Sequence, residues 1–266
     1  MPKIEANGIG IYYELHGPDG ADVLVLSNGI LMGTASWGNQ TPVLAQHYRV
    51  LLYDCRGMWQ SDHPSGPYSM ELHADDLAAL LDALGIERAH IAGISYGGEL
   101  SLAFALKYPA RTRSLIVSSS VSQVDPLLKG FVGSWIAAAR ARDPELLFQV
   151  TYPLNFSEAW IAANQAALDV ARERYRALDM DAFLELLLAF SRLDLTAGLH
   201  AITAPTLVMV GEEDLLKPRR YAEIVAREIP GAELAVLPHA GHAVSWEQPG
   251  LFSTLLLGFV TRHRNQ

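Results

Sequence analysis

The chain has 266 residues, 50% of them hydrophobic and 18% charged, which is globular composition able to bury roughly three quarters of the unfolded surface. With 20 basic against 29 acidic side chains the net charge is −9, and no Lys/Arg cluster interrupts it, so a nucleic-acid partner is not expected. The single Cys55 excludes an internal disulfide framework and fits a reducing compartment. The first residues carry no apolar core or cleavage pattern, and no run approaches the roughly 18 apolar residues of a membrane span. A cytoplasmic protein without a membrane partner is the expectation.

In chain order, Ile11, Tyr13 and Leu15 alternate over residues 10–16, as a half-buried antiparallel strand near an edge would. Val23-Leu24-Val25-Leu26 is apolar on both faces, and so are Val50–Tyr53, His90–Ala92, Leu115–Val117 and Thr206–Val210. Such runs belong to the interior of a parallel sheet. Helical pattern fills the intervals at about 69–84, 96–108, 219–229 and 248–262. Strands alternating with helices predict an α/β sheet covered on both faces.

One segment breaks the alternation. From Val124 to Leu199 there is only Ala-, Leu- and Arg-rich helical pattern, punctuated by Pro126, Pro144 and Pro153. We read 124–199 as a helical cap inserted between 1–123 and 200–266, which together form one core. A cap in that position shapes a pocket and excludes water. Its aromatics Phe131, Trp135, Trp160 and Phe183 hint at a hydrophobic substrate, although helical aromatics are more often core.

The chemistry centres on Gly93-Ile94-Ser95-Tyr96-Gly97, followed by Gly98, between an apolar strand run and a helical pattern. Gly-x-Ser-x-Gly at a strand-to-helix turn is the nucleophile elbow, which holds the serine in strained geometry with its hydroxyl exposed. A serine hydroxyl needs a base, usually a histidine oriented by a carboxylate. Asp214, just beyond the strand 205–210, and His242, in the loop after 232–237, supply them in the chain order Ser…Asp…His. Glu212 and Glu213 rival Asp214, and His239 rivals His242 as the base; chain position favours Asp214 and His242. No His/Cys/Asp/Glu cluster has metal-ligand spacing, so neither metal nor other cofactor is expected.

With Ser27-Asn28-Gly29, Asp54-Cys55-Arg56-Gly57, the Ser95 elbow, Gly211-x-x-Asp214-x-x-x-Pro218 and Gly241-His242…Glu247-x-Pro249 in order, the chain resembles the α/β-hydrolase superfamily. Its nearest look is to capped esterases, enol-lactonases, carbon–carbon bond hydrolases and cofactor-free haloperoxidase-like enzymes. The resemblance implies a mostly parallel eight-stranded sheet with the triad at its C-terminal edge. It also implies an oxyanion hole made by the backbone N–H groups of Ile30 and Tyr96. Asn28-Gly29 stands where many relatives have His-Gly, and the Asn28 side chain is expected to orient that loop. Trp59 stands where relatives carry glycine; it either lines the pocket or, the favoured reading, packs at the sheet edge. Asp54 and Arg56 are expected to fix loops.

The expected reaction is hydrolysis of a small hydrophobic ester or lactone through an acyl-enzyme on Ser95, by a monomer or homodimer. A carbon–carbon bond hydrolase or a perhydrolase is the alternative. A slow-turnover ligand receptor and a hydroxynitrile lyase follow; the lyase needs a pocket cation, for which Lys129 and Lys217 are weak candidates.

Overall fold

The computed structural model describes residues 3–264. Strands β1 (Lys3–Ala6) and β2 (Ile9–His16) form an antiparallel ribbon. They are followed by β3 (Val23–Ser27), β4 (Arg49–Tyr53), β5 (Ala89–Ile94), β6 (Thr112–Ser118), β7 (Thr206–Gly211) and β8 (Glu233–Leu237). The eight strands lie in the order β1-β2-β4-β3-β5-β6-β7-β8, antiparallel only where β2 meets its neighbours. Every residue of β5 and β7 is buried, whereas β8 is exposed over its first half. That is why the central strands read as unbroken apolar runs and the edge does not.

The short α1 (Thr41–Leu44) precedes β4, α2 (Met70–Ala83) precedes β5, and α3 (Tyr96–Lys107) follows it. Five helices then stand between β6 and β7: α4 (Pro126–Arg140), α5 (Pro144–Asn155), α6 (Glu158–Ala163), α7 (Gln165–Tyr175) and α8 (Met180–Ser191). Helices α9 (Arg219–Glu228), α10 (Val244–Glu247) and α11 (Pro249–Arg262) complete the chain. Asp125, Asp143, Ser157 and Asp179 each cap a helix of the five through a side-chain oxygen, a contact typically worth about 1 kcal/mol. Pro126 and Pro144 open their helices at the first position, where no N–H is needed. Pro153 departs from the expected punctuation. It lies inside α5, two residues before the helix ends at Asn155, so the missing hydrogen bond falls in the last turn.

Alternate strand residues feed two cores. Val25, Leu51, Ile91, Leu115 and Val208 pack on one face, under α2, α3, α9 and the five-helix segment. Leu24, Leu26, Val50, Leu52 and Met209 pack on the other, against Phe252, Leu256 and Phe259 of α11. The strand order reverses at β3, whose neighbours are β4 and β5. The crevice beyond the carboxyl ends of β3 and β5 is where open α/β sheets bind ligands.

Two histidines are buried in these cores. Burial pushes His73 down to about 3, helped by the nearby Arg56 charge, and His90 down to about 4, helped by Arg113. Each stays neutral in the fold but protonates in the unfolded chain below about 6.5. Their contribution to stability is therefore complete above pH 6.5 and is lost as pH falls towards 4 and below. In urea titrations, the loss of unfolding free energy between pH 7 and pH 5 is expected to be smaller in His73→Gln/His90→Gln than in the wild type. An equal loss would overturn the assignment.

Candidate active site

The elbow is built by close approach. A Cβ on Gly93 would run into the Gly97 carbonyl, and one on Gly97 into the Ser27 carbonyl, so α3 can sit this near β3 and β5 only with glycine there. Ser95, at the turn between them, has φ +53° and ψ −121°, a conformation that costs a non-glycine residue of order 1–3 kcal/mol. Its N–H stays in the ladder to Ser118 O at 2.8 Å, while its side chain is partly exposed at the head of α3.

Ser95, His242 and Asp214 come together from three loops at the carboxyl ends of β5, β8 and β7. His242 Nε2 lies 2.9 Å from Ser95 Oγ, and its Nδ1 lies 2.9 Å from Asp214 Oδ2. A carboxylate only accepts, so Nδ1 carries the proton and Nε2 is left to accept from the hydroxyl. Asp214 is 3% exposed and His242 5%; the second carboxylate oxygen of Asp214 accepts the Lys217 N–H at 2.7 Å. Glu212, Glu213 and His239 are all exposed. Glu247 anchors the histidine loop, accepting the Gly241 N–H at 3.0 Å and the Ser157 N–H, between α5 and α6, at 3.0 Å.

Ile30 and Tyr96 flank the serine. Neither backbone N–H donates to a protein acceptor among the described residues, although each is within the loop or helix start facing the site. The Asn28 side chain orients the Ile30 loop as expected: its Nδ2 donates to Tyr53 O at 2.9 Å and to Asp54 Oδ1 at 3.0 Å, and its Oδ1 accepts from Trp37 Nε1 at 2.8 Å. Asp54 also accepts the Thr34 and Gln60 N–H groups, yet burial pushes its carboxyl up to about 6. Arg56 clamps Asp76 with two hydrogen bonds of 2.8 and 2.7 Å. Both residues hold loops. Cys55 is fully enclosed, and burial raises its thiol, which makes it inert.

Two residues carry more than the sequence reading assigned them. Lys217 Nζ donates to Ser95 Oγ at 3.1 Å and to both carboxylate oxygens of Glu99 at 2.9 and 3.1 Å. The pair is buried, with 3% of the lysine side chain and none of the glutamate exposed. Glu99 also accepts the Val121 N–H at 2.9 Å, and Phe190 covers the ammonium at 4.7 Å. Burial pushes the Glu99 carboxyl up, opposed by Lys217. Sequence reasoning missed Glu99 because a carboxylate in the first turn of a helix reads as an ordinary match to the helix dipole.

A cavity partly open to solvent extends from Ser95 and His242. Trp135, Phe148, Tyr152, Phe156 and Tyr175 of the five-helix segment line it on one side, and Ile30, Met32 and Trp246 on the other. Of the four helical aromatics singled out in 124–199, where core positions were the commoner expectation, Trp135 lines this cavity, Trp160 stacks on Phe156 at 4.1 Å, Phe183 is core, and Phe131 lines a smaller recess beside Lys217. Trp59 corrects the favoured reading: it lines the cavity rather than packing away at the sheet edge. Its backbone takes φ +39°, a conformation natural to glycine, and its Nε1 donates to Met32 O at 2.8 Å.

Residues 22–249 match the model of the α/β-hydrolase fold family. The protein named carbamate hydrolase RutD in Stutzerimonas stutzeri is 35% identical, with 96% of this chain and 98% of that one aligned. The enol-lactonase of Burkholderia xenovorans superposes with a TM-score of 0.93 at 27% identity, over 98% of this chain and all (100%) of that one. A thermophilic esterase of Thermogutta terrifontis superposes at 0.88 with 28% identity, over 98% and 97% of the two chains. With its sheet order, its elbow and this family match in agreement, the chain belongs to the α/β-hydrolase fold family.

Proposed function

We propose that the protein is a serine hydrolase that cleaves a carboxylic ester or lactone through an acyl-enzyme on Ser95. The observation that carries this reading is the continuous line from Ser95 Oγ to His242 to Asp214, with both hydrogen bonds at 2.9 Å. His242 takes the Ser95 proton as Oγ attacks the carbonyl carbon. Asp214 holds the tautomer and stabilises the imidazolium that forms. The N–H groups of Ile30 and Tyr96 receive the oxyanion, each donor being worth about 10²–10³ in rate. His242 then protonates the departing alcohol or enol, and water enters by the reverse path.

Lys217 adds a donor on the oxygen itself. Ser95 Oγ gains negative charge as it attacks and again as it leaves the acyl group, so an ammonium at 3.1 Å favours both half-reactions. Accepting from Lys217, the hydroxyl is left with its own proton directed at His242. This use of Lys217 weighs against a hydroxynitrile lyase: its three N–H donors are matched by Ser95 and the two oxygens of Glu99, leaving none for cyanide. Residues 124–199 act as the cap, placing aromatic surface opposite the nucleophile. The likeness to an enol-lactonase and an esterase supports the ester or lactone bond as the target.

Two readouts test the route. Stopped-flow cleavage of p-nitrophenyl butyrate is expected to release a burst of one equivalent before steady turnover. A fluorophosphonate probe is expected to label the peptide containing Ser95, and not in His242→Ala. A folded protein that turns the ester over while the label lands elsewhere would rule this route out.

A further inference from the structure

The cavity beside Ser95 has mostly apolar walls and one arginine among them. Arg174 of α7 lines it, and no Asp or Glu does. Its neighbouring arginines are paired: Arg172 of the same helix with Glu145 at 3.5 Å, and Arg176, just past the helix end, with Glu173 at 2.7 Å. Among the described residues the Arg174 guanidinium has no carboxylate within 4.0 Å and no hydrogen bond. Its guanidinium instead rests over the Trp59 ring, 4.8 Å from the centroid. In a chain of net charge −9, an arginine left without an acid in a partly enclosed cavity stands out.

Its support is built rather than incidental. Trp59 is pinned by the 2.8 Å bond from Nε1 to Met32 O and lies against Gly33, in the loop that also carries Ile30. The indole face attracts the guanidinium and leaves its N–H edge unused. That planar fork matches a carboxylate with two parallel hydrogen bonds. We propose that Arg174 is a specificity-determining residue that binds a carboxylate carried by the substrate away from its scissile carbonyl. The substrate class is then an ester or lactone with a free acid group and an apolar stem, the stem lying on Phe148, Tyr152 and Tyr175. This rests on the hydrolytic reading for its chemistry, but the anion site is independent of turnover.

The test separates the two. In the Ser95→Ala chain, calorimetry is expected to find monomethyl adipate binding at least tenfold more tightly than dimethyl adipate. Adding Arg174→Met is expected to bring that ratio to about one, and Arg174→Lys to an intermediate value, since an ammonium keeps the charge but loses the fork. With Ser95 present, the kcat/KM ratio of the p-nitrophenyl monoester of adipic acid to p-nitrophenyl hexanoate is expected to fall at least tenfold in Arg174→Met, mainly through KM. Equal affinity for the mono- and dimethyl esters overturns the proposal, whatever the turnover. A preference for the monoester that survives Arg174→Met, in a variant with wild-type circular dichroism, overturns it too. Ser95-dependent hydrolysis without charge preference would refute the arginine assignment and leave the hydrolase reading standing. Selective anion binding without hydrolysis of any ester would do the reverse.

Discussion

Replacing Ser95 by alanine is expected to lower kcat for p-nitrophenyl butyrate by about 10⁴–10⁶, with KM little changed and the circular dichroism spectrum intact. On the proposed acyl-enzyme route the loss falls on kcat, because Oγ would bond to the carbonyl carbon only during the chemical step. What survives reflects binding and the oxyanion donors, which do not involve Oγ. Asp214→Asn is expected to cost about 10⁴, because an amide at 2.9 Å from His242 Nδ1 can present an N–H and favour the wrong tautomer. A Ser95→Ala fall below tenfold, or one carried by KM, would remove Ser95 as nucleophile.

Lys217→Met is expected to lower both stability and turnover. The ammonium and Glu99 are buried together, and removing one partner leaves a carboxylate without its countercharge, which typically costs about 3–5 kcal/mol. Removing both charges separates structure from catalysis. Lys217→Met/Glu99→Gln leaves no unpaired charge and keeps an amide oxygen for the Val121 N–H, so most of the stability should return in urea unfolding. Turnover should not return: with the donor 3.1 Å from Ser95 Oγ gone, kcat is expected to stay about 10²-fold below wild type. A double variant with wild-type kcat would assign the pair to folding alone.

Much of the architecture is legible in the residues because the local rules agree. The helices predicted at 69–84, 96–108, 219–229 and 248–262 appear as Met70–Ala83, Tyr96–Lys107, Arg219–Glu228 and Pro249–Arg262. Each ends where a cap, a proline or a loss of apolar spacing says it should. The short β1 escaped because four residues, two of them exposed, leave too little alternation to read. Pro153 misled because a proline near a helix end costs little, and the sequence does not show how close that end is.

The site divides in the same way. Ser95, Asp214 and His242 stand in motifs whose chain order and loop positions follow from strand-to-loop geometry, so they could be named before any distance was known. Lys217 and Glu99 are 118 residues apart in the chain, and neither position has local meaning. Only burial, with the high cost of leaving either charge alone, makes them a unit. Trp59 and Arg174 are likewise distant, and their contact depends on how α7 lies over the loop after β4. The sequence by itself determined the sheet, its helices and the motifs that hold Ser95, Asp214 and His242, since these rest on periodicity and short motifs. Which charged groups face the nucleophile and the cavity was decided by the tertiary structure, because in a low-dielectric interior a charge is defined by neighbours that packing alone supplies.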